Sequence, residues 1–67
     1  METKPYLTLQ QALKKYGLVQ TGGHAKFVIQ NGEVKVDEVV ETRRGRKLYG
    51  GETITYLKQK VVVEDVN

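Results

Sequence analysis

Cysteine and serine are both absent from this 67-residue sequence, and histidine occurs once. Without cysteine, neither a disulfide nor a thiolate zinc site can stabilise so short a chain. The single histidine, His24, has no second histidine or cysteine with which to share a metal, so we expect no metal and no other cofactor. The commonest catalytic nucleophiles are missing and the acidic residues form no close pair, so we predict that the protein is not an enzyme.

Long apolar runs are absent as well. No apolar stretch approaches the roughly 20 residues that span a bilayer, and the start, Met1–Tyr6, lacks the apolar centre of a signal peptide. We therefore expect a soluble cytoplasmic protein with no membrane partner and no small-molecule substrate. The length predicts one domain over residues 1–67, with a small core and with Met1–Tyr6 as a frayed lead-in.

Basic residues outnumber acidic ones by 11 to 8, and the excess is local. We call the following run the basic segment and predict that it is a loop: Arg43, Arg44, Gly45, Arg46 and Lys47. The rest of the chain has 7 basic against 8 acidic residues. Arginine forks grip phosphate bidentately and lysine acts as a point charge, which favours a nucleic-acid backbone as the ligand. The alternative is a solvated charge cluster. A cluster of like charges repels itself unless something offsets it, and Glu41 and Glu38 are the candidates for a partial offset.

Two helices are predicted in the first half of the chain. Thr8 and Gln11 form a capping box for the first, and Gly17 ends it. Its apolar residues recur with helical spacing at Leu9, Ala12, Leu13 and Tyr16. Thr21 or Gly22 caps the second helix, which closes at Asn31–Gly32. Its predicted buried face contains Ala25, Val28 and Ile29.

The second half of the chain has the pattern of short strands. Val34 and Val36 alternate with charged residues, and Thr53–Leu57 is β-branched and aromatic. Asp37–Glu38 is the turn before Val39–Val40, although its weak turn chemistry leaves a longer loop and another register open. A polar turn over residues 58–60 precedes a last strand that starts at Val61. The predicted fold class is α+β, with two short helices packed on a small, mostly antiparallel twisted sheet of three to four strands.

The start of the second helix is a further candidate for binding an anion. Thr21, Gly22 and Gly23 precede it with exposed backbone N–H groups and the positive end of the helix dipole. The alternative is that these are only cap and turn residues. Phe27 and Tyr49 are candidates for stacking on unpaired bases. Packing is the favoured interpretation for Tyr49, and Phe27 is either partly exposed or packed on a neighbouring element.

Four segments, in order and at this spacing, resemble the S4-type RNA-binding domain in its short stand-alone bacterial form. They are Thr21–Lys26, Gly32–Asp37, Glu41–Leu48 and Gly51–Ile54. The resemblance implies the αL motif and RNA bound by the second helix, the hairpin and the basic segment. Carried over position by position, it implies these RNA-binding residues: Gly23, His24, Lys26, Lys35, Arg43, Arg44, Arg46 and Lys47.

This sequence departs from the family at two turns. The family usually has Asn or Asp followed by Gly where this chain has Asp37–Glu38, and Gly-Asp where it has Gly51–Glu52. We predict a monomeric, ribosome-associated module that binds structured RNA, either ribosomal or tRNA-like. The alternatives are a protein-interaction module, with an acidic partner on the basic segment or a strand paired to the edge at Val61–Val63, and a weakly specific DNA binder.

Overall fold

Two helices and six short strands make up residues 5–65, the part of the chain that the computed structural model describes. In order they are β1 Leu7–Thr8, α1 Leu9–Lys15, α2 Gly22–Gln30, β2 Val34–Val36, β3 Val39–Val40, β4 Lys47–Leu48, β5 Thr53–Tyr56 and β6 Gln59–Val62. The strands form two antiparallel sheets, one of β1 and β4 and one in the order β3-β2-β5-β6. The predicted α+β class is confirmed. Neither described helix has the length and apolarity that crossing a membrane requires.

Helix α1 has the predicted ends. The Thr8 hydroxyl accepts a hydrogen bond from the Gln11 backbone N–H (3.2 Å), and the Gln11 side chain accepts one from the Thr8 N–H (3.0 Å), which is a complete capping box. Gly17 follows the last turn at φ +73°, a left-handed conformation that glycine adopts at little cost. Leu9, Ala12 and Leu13 are fully buried.

Helix α2 starts after Thr21, which decides between the two predicted caps. The Thr21 hydroxyl accepts a hydrogen bond from the His24 backbone N–H at 3.1 Å. The predicted face of Ala25, Val28 and Ile29 is buried. Phe27 lies off that face with 64% of its surface exposed, so it does not pack on a neighbouring element.

The core lies between the two helices and one face of the four-stranded sheet. Val34 pairs with Tyr56 and Val36 with Ile54, and all four side chains face the core. Leu48 of β4 is fully buried in the same cluster. Burying each such side chain contributes about 1.5–3 kcal/mol before the entropic cost of ordering it.

The hairpin between β2 and β3 is a tight two-residue turn. Asp37 and Glu38 have φ of +52° and +69°, as a type I′ turn requires, and Val36 pairs with Val39. Contacts with β5 hold this turn, because the Asp37 N–H donates to the Thr53 carbonyl (2.8 Å) and the Asp37 carboxylate accepts from the Thr53 N–H (3.0 Å). The structure therefore fixes the register that the sequence left open.

The four strands of the larger sheet agree with the predicted three to four, and two features differ from the expectations. The structure adds a second sheet of β1 and β4, which have two residues each and no readable periodicity. The last strand starts at Gln59 instead of Val61, since the turn falls at Leu57–Lys58 with Leu57 at φ +58°. Tyr6, the last residue of the predicted lead-in, packs its ring against Tyr49. Residues 1–4 lie outside the described residues.

Candidate nucleic-acid interface

The backbone of the basic segment is bonded to the start of helix α1. The Arg46 carbonyl accepts a hydrogen bond from the Leu9 N–H (2.9 Å), and the Arg44 carbonyl accepts one from the Gln10 N–H (3.1 Å). The Arg46 N–H donates to the Arg43 carbonyl (3.2 Å) and closes a turn within the segment. The first N–H groups of a helix have no hydrogen-bond acceptor inside the helix. The carbonyl groups of the basic segment supply these acceptors for α1, and the same bonds fix the segment against the helix.

Glu41 fixes two arginines of the basic segment. One carboxylate oxygen accepts from the Arg43 backbone N–H (3.1 Å) and Nε (3.0 Å), and the other accepts from Arg43 Nη2 (3.3 Å) and Arg46 Nη1 (2.8 Å). Glu41 is 8% exposed, whereas the Arg43 and Arg46 side chains are 75% and 34% exposed. The guanidinium groups are thus oriented by a buried carboxylate and remain open to solvent.

The electrostatics of this cluster keep Glu41 ionised. Hydrogen bonds, first from the Arg43 side chain and then from Arg46, together lower the pKa of Glu41 from 4.5 to about 2, against the opposing effect of burial. The interpretation that Glu41 offsets the charge of the segment is therefore confirmed. Glu38 instead forms an ion pair with Lys60, at 3.3 Å.

Lys47 lies in strand β4, so the predicted loop ends one residue earlier. It pairs with Thr8 of β1, and its Nζ lies 5.0 Å from the centroid of the Tyr6 ring, a cation–π distance. The Tyr6 and Tyr49 rings meet edge to face with centroids 6.3 Å apart. Tyr49 thus packs against Tyr6 while it remains 43% exposed, and the Tyr6 ring supports Lys47 from one side.

The basic segment surrounds an open depression of about 480 Å³. Its lining residues are Arg43, Gly45, Arg46 and Lys47. A side chain at Gly45 would meet no atom within 4 Å, so packing does not require a glycine there. What the glycine provides is backbone that a ligand can approach closely. Arg44 is exposed beside this depression.

Gln10 joins the basic segment to the start of helix α2. Its backbone N–H donates to the Arg44 carbonyl, and its side-chain Nε2 donates to the Gly22 carbonyl at 3.4 Å. The N–H groups of Gly22 and Gly23 have no hydrogen bond to any other described residue. His24 and Lys26 are exposed on the same helix. The structure thus brings together two of the three segments that the sequence proposed as a site.

Lys35 is the predicted site residue that lies apart. It stands between the buried Val34 and Val36, so its side chain projects from the face of the sheet opposite the core. No contact within residues 5–65 joins its side chain to the basic segment. The connection runs through the backbone, where the Glu41 N–H donates to the Val34 carbonyl (3.0 Å).

Sequence reasoning missed the role of Gln10 in this arrangement. Gln10 carries no signal in the sequence, because its importance depends on two segments that meet only in the fold. Glu41 did carry a signal, since it is an acidic residue two positions before an arginine pair. Within residues 5–65 no group of histidine, aspartate and glutamate side chains is arranged to hold a metal ion.

Known relatives resemble the chain along most of its length. YbcJ of Escherichia coli (strain K12) is 39% identical over 59 residues, which cover 88% of this chain and 84% of YbcJ. RlbA of Bacillus subtilis (strain 168), named as a probable ribosome maturation protein, is 44% identical over 48 residues, or 72% of this chain and 68% of RlbA. The solution structure of E. coli YbcJ, reported to reveal a motif involved in RNA binding, matches with a TM-score of 0.69 and 36% identity over 96% of this chain and 81% of that one.

The family comparison agrees with these relatives and with the observed fold. The family model described as S4 domain matches residues 1–64. The match includes both helices, the hairpin and the basic segment, which are the parts that form the candidate interface. The chain belongs to the S4 domain family.

Proposed function

We propose that this chain is a single-domain RNA-binding module, residues 1–67, that grips the phosphate backbone of a structured RNA. The observation that carries the proposal is the Gln10 link between the basic segment and the start of helix α2. It places arginines oriented by Glu41 beside a helix start with open N–H groups. Guanidinium groups and helix N-termini both bind phosphate, so the two segments form one surface that binds a polyanion.

RNA is favoured over duplex DNA by geometry and by the relatives. Helix α1 carries its cations, Lys14 and Lys15, only in its last turn, so it is not a recognition helix for the major groove of DNA. The RNA major groove is deep and narrow, so a junction or widened groove is the better target. The reported RNA-binding motif of YbcJ and the name of RlbA support an RNA ligand, with ribosomal RNA ahead of a tRNA-like element.

The remaining site residues have graded roles in this proposal. Arg43, Arg44, Arg46 and Lys47 contact phosphates, Gly23 offers its N–H, and Lys26 and His24 border the same surface. Lys35 contributes only where the RNA reaches around to the outer face of the sheet. The proposed module is a cytoplasmic monomer that binds without a cofactor and catalyses no reaction.

The proposal is tested with exposed cations that do not contact Glu41. We expect Arg44→Gln with Lys47→Gln to weaken binding to total cellular RNA and to make the slope of log affinity against log salt shallower by about 1.5, because each lost phosphate contact removes about 0.7–0.9. The wild-type slope is expected near −4, as for about five contacts. The measurement is a binding titration over a salt series, with heparin and duplex DNA as competing polyanions.

The matched control is Lys14→Gln with Lys15→Gln, which removes the same charge from the last turn of helix α1. It is expected to keep the wild-type slope. Equal losses in the two double variants would mean that net charge, and no defined surface, drives binding. Equal affinity of the wild type for RNA and heparin would contradict selectivity for structured RNA.

The protein-interaction alternative gains little from the structure. Strand β6 is an edge of the four-stranded sheet, and Val62 is 61% exposed. Val63, however, is buried, and Lys60 on the same strand is of the kind that discourages pairing with another chain. Recovery of one specific protein after nuclease treatment would revive this alternative.

A further inference from the structure

Phe27 is the one phenylalanine of the chain, and its ring is mostly exposed in the middle of helix α2. Single exposed apolar residues are ordinary on protein surfaces, so exposure alone implies nothing. Tyr49, the other exposed ring proposed for stacking, already has an aromatic partner in Tyr6 and is less exposed, at 43%. Phe27 has no aromatic partner among the described residues, so no other ring covers either face of its ring.

One side of Phe27 faces a shallow depression of about 220 Å³ whose other lining residues are Gln30 and Asn31. These residues follow Phe27 at i+3 and i+4 and therefore share its helix face. Asn31 Nδ2 donates to the Glu33 carboxylate at 2.8 Å, which places a negative charge at the edge of the depression. No cation lines it. A phosphate is repelled here, whereas a neutral ring with polar edges finds an aromatic surface and amide groups that pair with such edges.

Phe27 shares a helix face with Gly23, four positions earlier, at the helix start where phosphate contacts are proposed. Long side chains on a helix lean toward its N-terminus, so the ring leans toward the turn that contains Gly23 and His24. A side chain at Gly23 would meet no atom within 4 Å, so the surface at Gly23, toward which the ring leans, is open. Gly23 and Phe27 are four positions apart, about 6 Å along the helix axis. Phosphate contacts at the helix start and a base on Phe27 are therefore within reach of one short stretch of RNA.

We infer that Phe27 is a stacking platform for one unpaired RNA base, with Gln30 and Asn31 at the edge of that base. The inference rests on the proposed function and narrows it. The substrate class becomes a structured RNA that displays a bulged or unpaired nucleotide next to the phosphates held at the start of helix α2. Unstacked bases are the parts of folded RNA that aromatic side chains recognise.

The test uses three RNA hairpins that differ at one position: fully paired, with a single-nucleotide bulge, and with the same bulge carrying an abasic nucleotide. The last two have the same charge, so a difference between them reports the base alone. We expect the wild type to bind the bulged hairpin about tenfold more tightly than the abasic one, within the roughly 5- to 150-fold range of base–aromatic stacking. Phe27→Ala and Phe27→Leu are expected to abolish this difference and leave the salt slope unchanged.

Phe27→Trp supplies a direct readout, because the chain contains no tryptophan. The new indole is expected to retain the preference for the bulged hairpin and to lose more fluorescence with that hairpin than with the abasic one. Val62→Ala is the matched control, since Val62 is similarly exposed but lies on β6. It is expected to bind all three hairpins like the wild type.

The outcomes separate this inference from the function on which it rests. A wild type that binds RNA with a steep salt slope but does not distinguish the bulged from the abasic hairpin overturns the base site and leaves the phosphate surface standing. The same holds if Phe27→Ala keeps the difference. A wild type that binds none of the hairpins and no cellular RNA overturns both.

Discussion

The two segments proposed to contact phosphate orient their binding groups by different means. Two arginines of the basic segment are oriented by charge, through the four hydrogen bonds that Glu41 accepts from Arg43 and Arg46. The backbone N–H groups at the start of helix α2 are oriented by the helix itself, which the neutral hydroxyl of Thr21 caps. Flexible cationic side chains need a counter-charge to be oriented, whereas backbone N–H groups are oriented as soon as the helix forms. The basic segment is therefore sensitive to the loss of a counter-charge, whereas the start of helix α2 is sensitive to a change in the shape of its backbone surface.

Removing the anchor of each segment should produce unequal losses. Glu41→Ala is expected to lower the free energy of unfolding by about 2 kcal/mol, since it removes charge-assisted hydrogen bonds whose partners are partly solvated. Thr21→Ala is expected to lower it by about 1 kcal/mol, the usual cost of an N-cap. Urea denaturation measures both values.

Binding separates the two variants further. Glu41→Ala removes a negative charge and raises the net charge by one, so heparin affinity should rise. RNA affinity should fall, because the arginines are no longer oriented. RNA and heparin affinities that rise together would show that the orientation of Arg43 and Arg46 contributes nothing to recognition.

Acid should selectively weaken the contacts that Glu41 makes with the basic segment. The pKa of Glu41 is about 2 in the folded protein against 4.5 ordinarily, so its stabilising effect is complete above about pH 4.5 and disappears as the pH falls toward 2. We expect a loss of about 1–2 kcal/mol over this window, less than the full shift implies because Arg43 is exposed to solvent. Denaturation at a series of pH values, with Glu41→Gln beside the wild type, measures it.

Glu41→Gln should keep a smaller acid loss that comes from Glu52. Burial raises the pKa of Glu52, but hydrogen bonds from the backbone N–H groups of Tyr49 and Gly50 outweigh it, and the pKa lies below its ordinary value. Identical acid profiles for the wild type and Glu41→Gln would mean that the ion-pair cluster does not stabilise the fold.

The local parts of the fold could be read from the sequence, because their causes are local. The Thr8–Gln11 capping box and the left-handed Gly17 depend on residues within one turn of each other. The tight turn at Asp37–Glu38 could not be read in the same way. Contacts between Asp37 and Thr53, sixteen positions away, hold a backbone that glutamate alone disfavours.

The candidate site divides along the same line. The cluster of basic residues and the glycines before a helix were visible as composition and spacing. That the two adjoin was implied only by the family resemblance, because in the structure it depends on the two hydrogen bonds of Gln10. Nor was the isolation of Lys35, since side-chain direction relative to the other segments follows from strand pairing that the sequence left open.

The smallest expected effect concerns the start of helix α2, at Gly22 and Gly23. Gly23→Ala places a methyl group in open space on an ordinary helical backbone, so we expect the protein to gain about 0.5 kcal/mol of stability. Gly22→Ala places its methyl group 2.8 Å from Gln10 Nε2, which must move, so the same gain is offset by loss of the Gln10 hydrogen bond. Thermal and urea unfolding distinguish the two variants.

The RNA affinity of Gly23→Ala tests whether phosphate contacts the start of helix α2. If phosphate approaches the backbone at the start of helix α2, the added methyl group obstructs that approach, and RNA affinity should fall about fivefold, equivalent to roughly 1 kcal/mol. A variant that is more stable and yet binds RNA more weakly cannot owe its weaker binding to unfolding. A Gly23→Ala protein that gains stability and binds like the wild type would confine phosphate recognition to the basic segment, and the link through Gln10 would then only support the fold.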